Sequence, residues 1–348
     1  MGDQDQSVDA VGEEFIEGNV RYKLTSKLAE GGMGAVYEAI QYGVEGFDKR
    51  MAIKTILESY TNNFEFVRMF IGEAKLVADL VHENIVQVYQ LGRSKRSYYI
   101  AMEYVDGINL EDYIDRHFDI KKALPVELGA FIVSRICRGL EYAHSKLGRD
   151  GQPLNIVHRD ISPKNVMMNY DGVVKLTDFG IAKARQLMQQ KEGEVLMGKV
   201  EYMSPEQARF GETDRRSDLF SLGIVLYEIL TGHHIFSVED IYETLENVKH
   251  KEIPDPRAYN PDIPEDLVKI VMKALERDIF KRYQTAGEMG YDLEYYMYHD
   301  RFGPTNVALS LYLRELYEVD SKEEKPHDES ASDRLVRRRA DTIYRDLM

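Results

Sequence analysis

Residues 158–165 read HRDISPKN and follow a segment with the apolar pattern of a helix. Asp160 and Asn165 stand five residues apart in this stretch, and a second acidic motif, DFG at residues 178–180, comes shortly afterwards. Carboxylate and amide oxygens in this arrangement indicate phosphoryl transfer, in which a protein positions charged groups and forms little covalent chemistry of its own. The stretch therefore predicts a catalytic loop, and the flanking sequence must supply the binding sites around it.

The composition favours a globular chain of two lobes or domains. It has 348 residues, 43% hydrophobic and 30% charged, with a formal net charge of −15. This acidity argues against nucleic acid and anionic membrane surfaces as partners, because both need basic protein surfaces. No apolar run approaches the roughly 20 residues that cross a bilayer. The single cysteine excludes an intramolecular disulfide, and the polar N-terminus without a secretory signal predicts a cytoplasmic protein.

The hydrophobic pattern changes from β-like to helical along the chain. Strand patterns dominate from Tyr22 to about Met102, interrupted by one helical segment at residues 64–81. The predicted strands span residues 22–29, 34–40, 50–57, 84–92 and 97–105. The predicted helices of the second part span residues 110–117, 126–147, 217–231, 239–250, 265–277, 285–298 and 305–318. A β-rich half followed by a helical half predicts two lobes joined by a connector.

A glycine-rich turn in the β-rich half is the candidate nucleotide loop. The stretch LAEGGMGAVYEA at residues 28–39 lies between two strand patterns, and glycines allow a backbone to approach phosphates closely. Twenty residues after Gly34 comes Lys54, on a strand whose alternation places Ala52 and Lys54 on one face. A small residue over an adenine and an ammonium over its phosphates fit this arrangement.

The helical segment at 64–81 supplies a candidate partner for that lysine. Phe66, Phe70, Val77 and Leu80 form an apolar stripe, and Glu73 lies within it. An inward-facing carboxylate costs several kcal/mol unless it is paired. Lys54 is the expected partner, and a solvated position for Glu73 is the alternative.

Seven elements in order resemble the eukaryotic-like (Hanks-type) serine/threonine protein kinases, particularly their bacterial branch, over roughly residues 20–300. They are Gly31-x-x-Gly34-x-Val36, Met51–Lys54, Glu73, HRDISPKN, DFG, SPE at 204–206, and Asp218. The resemblance implies an α+β fold, the bilobal protein kinase fold, with a small β-rich N-lobe containing one main helix and a larger α-helical C-lobe.

The same resemblance implies the domain boundaries. The kinase domain is expected at residues 20–300, with an N-lobe at about 20–102, a hinge at 103–107 and a C-lobe at 108–300. Residues 1–19 are expected to be a flexible leader, and residues 301–318 a C-terminal helical extension. Residues 319–348 are expected to be a charged, partly disordered tail that binds a partner.

Site roles are likewise implied by the resemblance, with ATP and Mg²⁺ as cofactors. Asp160 would orient the substrate hydroxyl, Lys54 would hold the α- and β-phosphates, and Asn165 with Asp178 would bind Mg²⁺. The implied nucleotide-binding residues are Leu28, Ala29, Glu30, Gly31, Gly32, Met33, Gly34, Ala35, Val36, Ala52, Lys54, Glu73, Met102, Glu103, Val105 and Met167. Ala29 departs from the family, which usually has its first loop glycine there.

One departure affects the catalytic loop. The family normally has a lysine two residues after the catalytic aspartate, and a threonine in the loop before PE. This chain has Ser162 and Lys199 at those two positions, as if the hydroxyl and the ammonium were exchanged. Lys199 is therefore a candidate replacement for the missing cation, and Lys164 is the other candidate.

The substrate is expected to be a protein. Small-molecule phosphotransferases usually lack the PE segment, whereas here Glu206 has its expected partner, Arg282. Asp218 would hold the backbone of the catalytic loop, unless it is simply an acidic residue at a helix start. The leading function is an ATP- and Mg-dependent protein kinase that phosphorylates Ser/Thr hydroxyls in bacterial signalling. The alternatives are a nucleotide-binding pseudokinase scaffold and a kinase for a small hydroxylated metabolite.

The segment before SPE suggests how such an enzyme is regulated. Residues 180–203 contain no Ser and no Thr, although Arg159, whose counterpart in relatives pairs with a phosphorylated loop residue, is present. Glu192 or Glu194 is a candidate substitute partner for Arg159. We therefore predict basal activity that does not need phosphorylation of this loop.

Overall fold

The structure is a computed structural model. It describes residues 11–12, 14–17, 20–31, 34–56, 63–94, 98–179, 200–300 and 302–319, and at 14–17, 65, 66, 69, 73 and 76 only the backbone. The chain forms two compact units. The first comprises residues up to Val81 together with Val86–Val105, and the second comprises His82–Ile85 and the residues from Asp106 onward.

The first unit is an antiparallel sheet with one α-helix among its described residues. The strands are β1 (Glu14–Glu17), β2 (Val20–Gly31), β3 (Gly34–Tyr42), β4 (Asp48–Ile56), β5 (Val88–Arg93) and β6 (Tyr98–Glu103), and the helix is α1 (Phe64–Ala78). The strand order in the sheet is β1-β2-β3-β4-β6-β5. Side chains alternate between the faces of each strand, so that alternate residues in the first half of β2, along β3 and in the middle of β4 enter one apolar core. That core includes Tyr22, Leu24, Tyr37, Ala39, Met51, Ile53, Tyr99 and Ala101.

Helix α1 agrees with the predicted segment at 64–81, but ends at Ala78. Phe70, Val77 and Leu80 of the predicted apolar stripe are buried. The side chains of Phe66 and Glu73 lie outside the described part of the chain. The stripe is therefore confirmed at three of its positions, whereas the pairing of Glu73 with Lys54 stays a prediction.

The prediction of a flexible leader is wrong for part of residues 1–19. Glu14–Glu17 forms β1, which pairs antiparallel with β2 from Glu14 opposite Lys23 to Glu17 opposite Val20. The Gly12 N–H also donates to the Leu24 carbonyl at 2.9 Å. The outer side of β2 offers backbone groups for pairing, and this segment pairs with those at the start of the strand, between Val20 and Leu24.

The second unit is mainly helical. Its small sheet has the order β7 (Gly107–Asn109), β8 (Val166–Asn169) and β9 (Val174–Leu176). Its helices are α2 (Leu110–Asp119), α3 (Val126–His144), α4 (Pro205–Ala208), α5 (Arg215–Thr231), α6 (Ile241–His250), α7 (Glu265–Ala274), α8 (Ala286–Tyr298) and α9 (Asn306–Leu316). These elements and those of the first unit confirm the predicted α+β class. None of the described helices is both long enough and apolar enough to cross a membrane.

The predicted strand at 84–92 begins four residues late, at Val88. Asn84 and Ile85 belong to the second unit, where Asn84 donates from Nδ2 to the Val174 carbonyl at 2.8 Å. The Leu176 N–H donates in turn to the Asn84 carbonyl at 2.9 Å. The apolar run at residues 84–92 is therefore divided between the two units. A strand-like pattern alone does not reveal this division.

Helix α9 is packed on the second unit by specific contacts. Tyr312 lies with its hydroxyl 2.6 Å from Nε2 of His117 on α2, and Ser310 donates to the Tyr170 carbonyl at 2.6 Å. Gly172, in the turn between β8 and β9, has φ +81°, and a Cβ there would lie 1.8 Å from the Asn306 carbonyl oxygen. The predicted C-terminal helix is thus an integral part of this unit, and the tail beyond residue 319 lies outside the described residues.

Candidate active site

Asp218 holds the backbone of the catalytic loop. Its buried carboxylate, on the first turn of α5, accepts the His158 N–H at 2.8 Å and the Arg159 N–H at 2.7 Å. His144, at the end of α3, contributes a third contact from Nε2 at 2.8 Å. Burial alone would raise the pKa of Asp218, but these hydrogen bonds and the two nearby histidines lower it overall. The predicted role of Asp218 is confirmed, and its reading as a plain helix-start charge is wrong.

Asp160 and Asn165 meet within this loop. Asn165 is the last residue of the short 3₁₀ turn Pro163–Asn165. Its Nδ2 donates to the Asp160 carbonyl at 2.7 Å and to Oδ2 of the Asp160 carboxylate at 3.0 Å. These bonds use the amide nitrogen, whereas a magnesium ligand would be the amide oxygen. The loop therefore fixes the Asp160 carboxylate and orients the Asn165 amide in one arrangement.

Asp178 follows β9 in a backbone conformation that is sterically unfavourable for a residue with a side chain. Its φ is +61°, a value that non-glycine residues adopt rarely and that often marks functional sites. Hydrogen bonds at Thr177 hold the preceding residue: its N–H donates to the Asn165 carbonyl at 3.0 Å, and its carbonyl lies 2.9 Å from His158 Nε2. The following Phe179 is buried against the His158 ring, with centroids 4.5 Å apart.

His158 lies at the centre of these acidic groups. Burial lowers its pKa, although the carboxylates of Asp218, Asp160 and Asp178 act in the opposite direction. The neutral ring donates from one nitrogen to Thr177 and accepts the Asp160 N–H at the other, at 3.3 Å. A neutral His158 is therefore a structural link between the HRD and DFG segments.

The residues expected to bind Mg²⁺ have suitable chemistry. Mg²⁺ takes oxygen ligands and is usually bound by one or two carboxylates together with substrate phosphates. Asp178 supplies a carboxylate and Asn165 an amide oxygen, and the Thr177 hydrogen bond joins their segments. The described residues contain no cluster of three or more His, Cys, Asp or Glu side chains that could hold a metal alone. A site that shares its metal with nucleotide phosphates fits this donor set.

The exchange at Ser162 leaves a buried hydroxyl. Ser162 is 1% exposed, and its Oγ has no hydrogen-bond partner among the described residues. Lys199, its expected partner, lies outside the described residues. Lys164, the other candidate cation, is an exposed residue that lies 3.3 Å from Glu111 on the first turn of α2. This pairing directs the Lys164 ammonium towards a carboxylate on the surface.

Ala52, Lys54 and Met102, which are predicted to bind the nucleotide, lie on adjacent strands of the first unit. Ala52 lies directly opposite Met102, and Lys54 lies opposite Val36 and Ile100. The alternation of β4 places Ala52 and Lys54 on the same face, as predicted. The Glu103 N–H donates to the Gln87 carbonyl at 2.8 Å, and the roles of Glu103 and Val105 towards an adenine stay predictions.

The two described glycines of the loop have different roles. A Cβ at Gly34 would lie 1.9 Å from the Thr55 carbonyl oxygen on β4, whereas a Cβ at Gly31 would meet nothing within 4 Å. Gly34 is therefore required for strand packing, and Gly31 leaves open space at the turn. Leu28, Ala29 and Glu30 are exposed, and Gly32 and Met33 lie outside the described residues. Ala35 is buried, Val36 and Val105 are half-buried, and Met167 lies on β8 of the second unit.

Glu206 and Arg282 form the predicted ion pair. Arg282 Nη1 lies 2.8 Å from Glu206 Oε1, and Nη2 lies 3.3 Å from Oε2. Ser217 also donates to Oε1 at 2.7 Å. Burial would raise the pKa of Glu206, but Arg282 and Ser217 lower it overall. The SPE segment is thereby fixed to the helical unit.

Sequence reasoning missed two residues that support the catalytic loop. His144 contacts the same Asp218 carboxylate that accepts the N–H groups of the catalytic loop. Gln207 donates from Nε2 to the Arg159 carbonyl at 2.9 Å. The only sequence signal for His144 was a polar residue at the end of an apolar helix pattern. Gln207 had the signal of a capping box, since Ser204 and Gln207 begin α4 in that arrangement.

Comparison with known proteins agrees with this geometry. The chain is 42% identical over 298 residues to tyrosine-protein kinase MasK of Myxococcus xanthus, covering 84% of this chain and 45% of the relative. It is 37% identical over 276 residues to serine/threonine-protein kinase PrkC of Bacillus subtilis, covering 79% and 40%. It thus spans less than half the length of these two relatives. The crystal structure of the Mycobacterium tuberculosis PknI kinase domain matches with a TM-score of 0.58 and 25% identity, covering 78% of this chain and 94% of that one.

A family model described as the protein kinase domain matches residues 22–290. This match covers most of the chain and includes the catalytic loop, the DFG motif and the Glu206–Arg282 pair. The chain belongs to the protein kinase domain family.

Proposed function

We propose that the chain is an ATP- and Mg-dependent protein kinase that transfers the γ-phosphate to Ser/Thr hydroxyls of proteins in bacterial signalling. The observation that carries this proposal is the fixed Asp160–Asn165 pair on a loop whose backbone is bound to Asp218. Phosphoryl transfer depends on positioning and on charge stabilisation, and a pre-arranged pair of this kind supplies both.

Each residue of the proposed site has its own role in phosphoryl transfer. Asp160 accepts a hydrogen bond from the acceptor hydroxyl and takes its proton. Lys54 and the backbone around Gly31 bind the phosphates, while Asn165 and Asp178 hold Mg²⁺, which neutralises the charge of the triphosphate when bound. Glu73, the hinge carbonyl of Glu103 and the groups of Val105 complete the nucleotide site in this proposal.

A protein is the proposed substrate because the SPE segment is anchored to the helical unit through Glu206 and Arg282. In the described part of the chain no observation favours a small metabolite or a non-catalytic scaffold. Relatives differ in the acceptor that their names state, since MasK is named a tyrosine kinase and PrkC a serine/threonine kinase. We propose Ser/Thr as the principal acceptor. Partner binding by the tail and a cytoplasmic location, where ATP is supplied, are further parts of the proposal.

The test is transfer of labelled phosphate from Mg-ATP to a generic protein substrate and to matched peptides that differ only in a Ser, Thr or Tyr acceptor. The control is Asp160→Asn, which keeps the acceptor of the Asn165 hydrogen bond but removes the carboxylate charge. Transfer to Ser or Thr that the control lacks supports the proposal. ATP binding without transfer would instead support the pseudokinase, and preferential transfer to Tyr would correct the acceptor class.

A further inference from the structure

The side-chain amide of Gln207 connects two backbone segments that are distant in sequence. Its Oε1 accepts the Ser204 N–H at 2.9 Å. Its Nε2 donates to the carbonyl of Arg159, 48 residues away along the chain, at 2.9 Å. One neighbour offers a donor and the other an acceptor, so a single orientation of the amide satisfies both. Gln207 therefore joins the SPE segment to the catalytic loop by a directed contact.

The carbonyl that Gln207 binds belongs to the peptide group that leads into Asp160. A peptide group is planar, so the Arg159 carbonyl and the Asp160 N–H move together and point in opposite directions. Gln207 binds the carbonyl, and His158 Nδ1 accepts the N–H at 3.3 Å. The plane is thus held from both sides, and its orientation sets the direction in which the Asp160 side chain leaves the backbone.

The backbone of Arg159 needs this support because its conformation is unfavourable. Its φ is +64°, a value that persists in a residue with a Cβ only where the surroundings impose it. The buried Asp218 carboxylate accepts the Arg159 N–H at 2.7 Å, and Gln207 binds the carbonyl. The two backbone groups of this residue are therefore held by different elements, α5 and the SPE segment.

The side chain of Arg159 adds a less direct contact. Its Nε donates to Thr213 Oγ1 at 3.1 Å, in the loop between α4 and α5. Glu192 and Glu194, the predicted partners of its guanidinium, lie outside the described residues. A bond at the far end of a long, flexible side chain constrains the backbone weakly. The carbonyl contact with Gln207 acts on the peptide group itself.

Gln207 is in turn held in place by its own segment. Ser204 Oγ accepts the Gln207 N–H at 3.3 Å, which completes the capping box of α4. The preceding residue, Glu206, is bound to the buried Arg282. The amide therefore extends from a fixed backbone, and a supporting residue must be fixed in this way to hold another group in a precise position.

We propose that Gln207 is a positioning residue for phosphoryl transfer and orients Asp160 through the Arg159 carbonyl. This proposal rests on the proposed kinase activity, in which Asp160 takes the proton of the acceptor hydroxyl. Without the Gln207 donor, the peptide group between Arg159 and Asp160 rotates more freely. The carboxylate then has its productive orientation in a smaller fraction of molecules, and small misplacements of a reacting group lower the rate steeply.

Gln207→Glu separates the contact with the loop from the cap of α4. The introduced carboxyl keeps an oxygen for the Ser204 N–H in both protonation states, but it donates to the Arg159 carbonyl only when protonated. With saturating Mg-ATP and the generic protein substrate, we expect kcat about tenfold below wild type at pH 8, the change that corresponds to one hydrogen bond. The ratio of the two kcat values should rise about twofold or more between pH 8 and pH 5, because a glutamic acid with a pKa of about 4.3 begins to take up its proton there.

Gln207→Lys makes the opposite separation. Its ammonium has donors for the Arg159 carbonyl but no acceptor for the Ser204 N–H. We expect kcat within about twofold of wild type, together with a lower urea midpoint of unfolding because half of the capping box is lost. Gln152→Glu, the same change as the first at an exposed loop residue, is the control and should show neither effect.

The outcomes separate a positioning role from a purely structural one. KM for ATP should stay within about twofold in all three variants, because the lost contact acts on Asp160 and not on the nucleotide. A kcat ratio in Gln207→Glu that does not change with pH, or a larger loss of kcat in Gln207→Lys than in Gln207→Glu, overturns the positioning role. Either result leaves the proposed function standing, because the wild type transfers phosphate in the same assay. No transfer to protein by the wild type overturns both.

Discussion

The guanidinium of Arg282 and the carboxylate of Glu206 are joined by two hydrogen bonds in the interior of the helical unit, although 76 residues separate them. Arg282 is only 1% exposed, and its remaining donors reach the Glu276 carbonyl at 2.9 Å and the Arg216 carbonyl at 2.7 Å. One side chain thus joins the SPE segment, the start of α5 and the loop after α7.

Replacing Arg282 should destabilise this unit strongly. Arg282→Met leaves the half-buried Glu206 carboxylate without its cation, and breaking a buried pair costs up to about 3–5 kcal/mol in the free energy of unfolding. Lys269→Met is the matched control, because Lys269 forms an exposed pair with Asp266 at 2.9 Å and surface pairs contribute about 0–1 kcal/mol. Urea titration of both variants measures the difference, and equal losses would contradict a buried pair.

Removing a charge at the nucleotide should abolish phosphotransfer while the fold remains. Lys54→Met and Asp178→Asn each remove charge compensation at the triphosphate, and losses of at least about 10²-fold in kcat are expected. Lys49→Met is the control, because Lys49 lies on the same strand but contacts the Tyr89 ring at 3.8 Å. Circular dichroism checks the fold. Turnover near the wild-type rate in either active-site variant would refute the assigned roles.

The buried Ser162 hydroxyl makes the exchange with Lys199 testable. If Lys199 supplies the missing cation, Lys199→Thr should lower kcat much more than it raises KM for ATP, because the contact forms mainly in the transition state. Adding Ser162→Lys should restore part of the loss, so the two changes would be non-additive. Independent, additive losses would favour Lys164, and Lys164→Ala would then carry the larger effect.

Glu228 should make stability depend on pH near neutrality. Burial and the charges of Glu201, Glu111 and Asp115 raise the pKa of Glu228 to about 7. The folded state therefore keeps a proton that the unfolded state releases near pH 4.5. The free energy of unfolding consequently falls as the pH rises from about 4.5 to about 7. Glu228→Gln, which keeps an acceptor for Tyr202, should be more stable by up to about 3 kcal/mol at pH 8, with no gain near pH 4.5. Glu239→Gln, the same change at an exposed residue, is the control, and a gain independent of pH would contradict the assignment.

Periodicity was sufficient to predict most elements, because helices and strands with one buried face repeat at 3.6 and 2 residues. It failed at boundaries that distant contacts decide. The helix predicted at 126–147 ends at His144, since Leu154 folds back to donate to the Lys146 carbonyl at 2.9 Å. The strand predicted from Asn84 begins later because Asn84 binds β9.

The site was predictable where a residue type is chemically distinctive. Asp160, Asn165 and Asp178 were identified from spacing, and Glu206 with Arg282 from the family resemblance. The contact between Arg159 and Thr213 was not predictable from the sequence, because the two residues are 54 positions apart. A threonine in a polar loop also carries no sequence pattern that indicates its partner. Gly34 was assigned to phosphate binding, whereas the structure also requires it for packing against Thr55.

The pairing of β1 with β2 has a consequence for handling the protein. A polypeptide shortened to begin at Val20 would keep the whole family match but would leave the first four residues of β2, Val20–Lys23, without their neighbouring strand. Open strand edges template association with other chains. We expect the shortened polypeptide to self-associate with time at concentrations where the full chain stays monodisperse in light scattering. Equal scattering from the two would mean that β2 protects itself by other means, for which Arg21, Lys23 and Lys27 provide the charges.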